Sequence, residues 1–194
     1  TIAKEGKYDL AMSYFLKAIA LEPGYGKAYN NIGNCLYYQG HYKQAMEYIR
    51  KGLELDAQTP QSLNMLGKSL YQLGRKGEAL EYYEQALEMN PQWPELLNNI
   101  AWVLSVYPEE KFHNPALAVD YAERAGEMMP EEGCEYLDTL AAAYAADGKF
   151  SKALRIAERA LKKAQQADKD QLISIMEQRI KLYRNNRPYI GKQD

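Results

Sequence analysis

Asparagine stands at positions 30, 64 and 98, a step of 34 residues each time, and Asp138 takes the corresponding place in the unit that follows a lengthened one. A primary amide carries both a donor and an acceptor, so a column of them facing a groove can pair with the backbone of an extended peptide. The competing reading is plainer: Asn near the start of a helix caps it or is solvated. Trp102 is a large aromatic four residues after Asn98, and it either anchors a partner or packs against neighbouring chain. Catalytic chemistry has far less to stand on. His41 falls in a turn and His113 in a loop, neither with Cys, Asp or His at a metal-ligand spacing. The sequence has no glycine-rich phosphate loop, no Gly-x-Ser-x-Gly elbow and no His-Glu-x-x-His. Glu109 with Glu110, and Glu131 with Glu132, read as solvated loop charge. The expectation is a chain that binds without catalysing, and that needs no cofactor or metal.

Composition narrows the partner. An apolar share of 46% and a charged share of 26% belong to a folded globular chain. The net charge of −2 and the lack of a dense Lys/Arg cluster exclude a nucleic acid backbone as the expected ligand. No apolar run approaches the roughly 18 residues of a membrane-spanning helix, so direct membrane insertion is not expected. Cys35 and Cys134 fall about three units apart, beyond bonding distance in a linear array, and are expected as small buried thiols.

The elements that position these residues follow from the same period. Tyr29, Ile32, Gly33 and Leu36 return as Leu63, Leu66, Gly67 and Leu70, then as Leu97, Ile100, Ala101 and Leu104. Ala11, Phe15, Ala18 and Pro23 return as Ala79, Tyr83, Ala86 and Pro91. Steps of three and four between apolar residues make each half of the unit a helix. The single array divides into a partial repeat at 1–25, full repeats at 26–59, 60–93, 94–133 and 134–167, and a capping helix at 168–187. In the partial repeat a turn at Gly6 should separate the end of one helix from a second helix at about Tyr8 to Leu21. The chain is therefore expected to begin inside a repeat, with an uncovered helix face that invites self-association. Gly33 and Gly67 lie inside helices, where Gly costs about 0.5 to 1 kcal/mol relative to Ala. Close helix approach is the expected reason, with Ala101 and Ala141 at the matching sites. Tyr29, Tyr83 and Tyr144 read as packing residues. The landmarks Ala118, Ala122, Ala125 and Pro130 come 39 residues after Ala79, Tyr83, Ala86 and Pro91, so five residues are inserted before the second helix of the third repeat. Asn114 should cap that helix and Pro115 open it, with Phe112 and His113 anchoring the loop. In the last segment Ile173, Met176, Ile180 and Tyr183 mark an apolar face. Arg179, Lys181, Arg184 and Arg187 give it a polar outer side, and Pro188 ends it.

The aromatic-x2-Leu-Gly-x2-Tyr, Ala-x3-Phe and Pro landmarks at this period resemble the tetratricopeptide repeat superfamily. The resemblance implies an all-α, right-handed superhelical solenoid of helix-turn-helix repeats with a C-terminal capping helix. It also implies a non-catalytic scaffold or adaptor whose concave wall, lined by first-helix residues, holds a protein or an extended peptide. Carried over by register, that wall supplies the candidate partner-binding residues Lys27, Asn30, Asn34, Tyr37, Asn64, Lys68, Tyr71, Asn98, Trp102 and Asp138. Its character shifts from Lys and Tyr toward Glu95, Glu135 and Asp138, so the basic part of a single ligand would face the later repeats. The family's clamp for a C-terminal carboxylate uses two lysines, an arginine and two asparagines, and the corresponding sites here are Asn30, Asn34, Met65, Glu95 and Asn99. Only Asn34 keeps the pattern and Glu95 reverses a charge, so carboxylate clamping is not expected. The stretches 114–125, 136–144 and 182–189 resemble the closing region of bacterial members, some of which hang from membrane-embedded glycosyltransferases. That likeness implies a bacterial origin and a natural terminus near Asp194. It adds two alternatives: the regulatory tail of a membrane-linked enzyme, and a self-assembling structural unit.

Overall fold

The computed structural model describes residues 2–107, 112–129 and 133–191, and these form helices joined by short connections. The paired acids Glu109, Glu110 and Glu131, Glu132, together with Pro130, lie outside the described residues. The chain divides into two compact units, Thr1–Pro91 and Gln92–Asp194. The first holds α1 (Ile2–Leu21), α2 (Gly26–Tyr38), α3 (Tyr42–Glu54), α4 (Pro60–Gln72) and α5 (Lys76–Met89). Here α2 pairs with α3 and α4 with α5, α3 packs on α4 to join the pairs, and α1 lies on α2. The second unit holds α6 (Pro94–Val106), α7 (Pro115–Met128), α8 (Cys134–Ala146), α9 (Phe150–Gln166) and α10 (Asp170–Arg184). In it α6 pairs with α7 and α8 with α9, α8 also packs on α6 and α7, and α10 lies on α9.

The helix pairs close where the small residues recur. A β-carbon at Gly67 would meet the Tyr83 ring at 2.5 Å and the Ala79 carbonyl at 3.1 Å, and one at Gly33 would overlap the Ile49 side chain. Ala101 and Ala141, at the matching sites, are fully buried. Of the aromatic residues read as packing elements, Tyr29 is half-buried and meets Tyr48 at 6.3 Å. Tyr83 and Tyr144 are buried, and burial followed by the hydrogen bond to Glu123 pushes the Tyr144 hydroxyl up to about 12. Cys35 and Cys134 are buried free thiols.

First helices end on a shared device. Gly40, Gly74 and Gly148 adopt φ of +84°, +78° and +72°, and the next residue donates its N–H five residues back, to Leu36, Leu70 and Tyr144. This left-handed closure turns the chain into the second helix at no steric penalty, because Gly lacks a β-carbon. Two sequence expectations give way here. There is no turn at Gly6: α1 runs unbroken from Ile2 to Leu21. Gly permits a turn without requiring one, and here the i to i−4 hydrogen bonding of the helix continues through Gly6. The last helix is also shorter than 168–187. It stops at Arg184 because Asn186 enters the left-handed region (φ 51°) and Arg187 N–H closes onto Leu182, before the proline acts.

The lengthened third repeat is built as its sequence implies. The Asn114 side chain accepts from Leu117 N–H at 3.2 Å and Pro115 opens α7. The preceding α6 lacks the glycine closure and runs into an extended Tyr107 (φ −88°, ψ 120°).

Candidate functional site

In the first unit, α2 and α4 bring the wall residues together. Lys68 Nζ sits over the Tyr37 ring at 5.8 Å, and the Gln72 side chain hydrogen-bonds the Tyr37 hydroxyl. Burial, partly offset by that bond, raises the Tyr37 pKa above its ordinary value. Tyr37 also meets Tyr38 edge-on at 5.5 Å and Tyr42 at 5.3 Å, and Tyr8 of α1 stacks on Tyr38 at 5.8 Å. Asn34, Tyr37, Lys68 and Tyr71 are all half-buried, whereas Lys27 is exposed. The Asn34 Oδ1 is buried without a hydrogen-bond partner, on a residue that is itself half-buried.

The asparagine column is placed differently. Asn30 is buried, and its amide donates to the Ala57 carbonyl at 2.8 Å. That carbonyl also accepts from Ser62 Oγ at 3.3 Å, so Asn30 ties α2 to the connection leading into α4. A β-carbon at Gly52 would overlap Asn30 Oδ1, which explains the glycine there. Asn64 is buried, while Asn98 is half-buried with its Oδ1 unpartnered. One helical turn on from Asn30, Asn64 and Asn98 stand Asn34, Lys68 and Trp102, which recur at the same step and stay half-accessible. The sequence signal for this second column is the same 34-residue period, displaced by four.

In the second unit the wall is occupied. Asp138 on α8 forms a buried ion pair with Arg179 of α10. The guanidinium lies over the Trp102 ring at 4.6 Å and over the Tyr189 ring at 4.5 Å, and the two rings are 6.1 Å apart. Arg179 is therefore not on the polar outer side of the last helix: it is 7% exposed, among Met176, Ile180 and Tyr183 of the buried face. The paired carboxylate offsets its desolvation, which an unpaired guanidinium could not bear. The chain's own basic group thus meets the acidic end of the wall. Phe112 stacks on Tyr107 at 5.4 Å, anchoring the inserted loop.

At the start of α8, Lys169 bonds Glu135 at 2.5 Å and holds its carboxyl below the usual range. Burial raises the neighbouring Cys134 thiol, which keeps it protonated. Among the described residues no group of three or more His, Cys, Asp or Glu could hold a metal ion. No helix among them is long and apolar enough to cross a membrane.

Paired helices closing on small residues, with accessible first-helix side chains, define a helical-repeat interaction protein. Tetratricopeptide repeat family models match residues 3–25, 26–58, 60–93 and 134–167, together more than half of the sequence. The chain belongs to the tetratricopeptide repeat superfamily. The lengthened repeat lies between the last two of these matches. Similar solved structures include MamA, 20% identical with a TM-score of 0.66 over 84% of this chain and 92% of that one. YrrB, described as a TPR protein with an unusual peptide-binding site, is 23% identical with a TM-score of 0.67 over 84% of each chain. TTC0263, a thermophilic TPR protein of Thermus thermophilus, is 21% identical with a TM-score of 0.63 over 89% of this chain and 90% of that one. At these identities the likeness is one of fold. No curated protein matches the sequence.

Proposed function

We propose that the chain is a non-catalytic scaffold or adaptor that holds an extended protein segment, and that the first unit's α2/α4 wall is where it does so. One observation carries the reading: the unpartnered Asn34 acceptor lies on the same face as the half-accessible Tyr37 and Lys68. A ligand backbone N–H satisfies the amide once the Asn34 side chain turns outward, apolar groups lie on the tyrosines, and the ammonium favours an acidic side chain. Lys27 and Tyr71 extend the wall. The general support is that this repeat fold is one of protein interaction, and that a structural neighbour is described as having a peptide-binding site. Recognition of this kind is typically micromolar, about −8 kcal/mol. Panning a random displayed-peptide library on the chain tests it. Selected peptides should carry an acidic residue and lose about tenfold in affinity, or 1.4 kcal/mol, with Lys68→Ala or Asn34→Ala. Peptides indifferent to both substitutions would sink the reading.

A second reading, self-association, has one observation in its favour. Leu10, Tyr14 and Leu21 lie along one face of α1 and are 58%, 62% and 88% exposed.

A further inference from the structure

The C-terminal tail does for α6 what a glycine turn does for α2, α4 and α8. The Val106 carbonyl at the end of α6 accepts a hydrogen bond from Gly191 N–H at 2.9 Å. Two residues earlier Tyr189 lays its ring against Trp102 and Arg179. Ile190, between them, is more than half exposed, and Pro188, before Tyr189, has no N–H to place. The tail is therefore held as an extended peptide is held, by one backbone donor and one aromatic side chain two residues apart. Its anchoring contrasts with that of α10, whose Met176, Ile180 and Tyr183 are almost wholly buried. Beside the tail lies a cavity of about 310 Å³ lined by Ser105, Val106, Tyr107, His113, Ala146 and the tail itself. The Arg179 Nε is buried without an acceptor, a donor that the tail leaves unmet.

We propose that this surface of the second unit is a recognition site for an extended segment of a partner protein, and that Pro188–Gly191 is its displaceable internal occupant. The segment carries an aromatic residue with a donating N–H two residues on. It need not be acidic, because Asp138 already neutralises Arg179. A longer segment also fills the cavity and brings a backbone carbonyl to the Arg179 Nε. The inference rests on the reading of the chain as a segment-binding module, and it assigns the second unit a different ligand preference from the first.

The test uses the full chain and a labelled, capped hexapeptide of residues 186–191 as the probe. A site populated by its own tail binds a competitor more weakly by the fraction of time it stands open. The peptide should bind Tyr189→Ala at least about tenfold more tightly than wild type, and a Tyr-to-Ala version of the peptide should bind neither. Trp102→Ala placed on Tyr189→Ala should abolish binding. Gly191→Pro removes the donor to Val106 while keeping the ring, and should also raise affinity; it serves where circular dichroism shows Tyr189→Ala to be unfolded. Equal peptide affinity for wild type and both tail variants would overturn the proposal. So would a wild-type dimer in light scattering that Tyr189→Ala dissolves, since the occupant would then be a second copy's tail. Because the probe is the tail itself, its failure leaves the first-wall reading standing.

Discussion

Asn30 and Asn34 lie one helical turn apart on α2 and both keep a buried, unpartnered Oδ1, but Asn30 is buried as a whole while Asn34 is half-accessible. The first gives its amide to Ala57 inside the repeat; the second lies on the wall. Asn30→Ala should therefore destabilise the fold by about 0.5 to 1.5 kcal/mol, the net worth of one hydrogen bond, since the Ala57 carbonyl keeps Ser62 Oγ, and spare peptide affinity. Asn34→Ala should do the reverse, and urea melts beside peptide titrations separate the two. The 34-residue recurrence of Asn was plain in the sequence, but its burial was not, because the acceptor lies 27 residues further on. Charge gives a second prediction at this scale. Arg75 grips Glu78 through two 2.6 Å bonds and, by hydrogen bonding first and charge second, lowers its pKa. A depressed carboxylate contributes stability above its unfolded value of about 4.3 and loses it as pH falls through the folded value. Wild type should melt above Glu78→Gln at pH 7, and the gap should close below about pH 4. Since both side chains are about four-tenths exposed, the gap should be small.

At the scale of the element, the close approach at Gly67 was legible because it is written locally, in a missing β-carbon at a fixed offset. Gly67→Leu should destabilise by about 1 to 3 kcal/mol through overpacking against Tyr83, and a thermal melt unchanged by it would contradict the helix register. Gly6 shows the limit of the same signal: the residue permits a turn, but nothing in its type requires one, and α1 continues through it. Arg179 shows another. A charged residue in an amphipathic pattern reads as outward-facing, yet its partner Asp138 is 41 residues away and draws it inward. The end of α10 is set not by Pro188 but by Asn186, whose short polar side chain tolerates the left-handed region. Asn186→Val should cost about 1 to 2 kcal/mol and loosen the tail, whereas Asn186→Gly should be neutral or mildly stabilising. Melting both variants checks the sign.

For the whole molecule, a repeat array distributes stability by nearest-neighbour burial rather than through one central core. Within the first unit this orders the helices. α4 is covered by α3 on one side and α5 on the other, while α1 rests chiefly on α2 and leaves Leu10, Tyr14 and Leu21 in water. Local opening follows cover, so α1 amides should exchange with solvent at low free energy, well before those of α4, which should approach the global value. Mass-resolved hydrogen exchange on the intact chain reads this directly. The same exposed face decides the second functional reading. If copies associate through it, α1 protection must rise with protein concentration, and light scattering must show an oligomer that Leu10→Lys with Tyr14→Lys returns to a monomer. If exchange from α1 is fast and independent of concentration and the wild-type chain is already monomeric, self-association is excluded. The exposed apolar row is then a property of α1 alone, and the segment-binding walls carry the function.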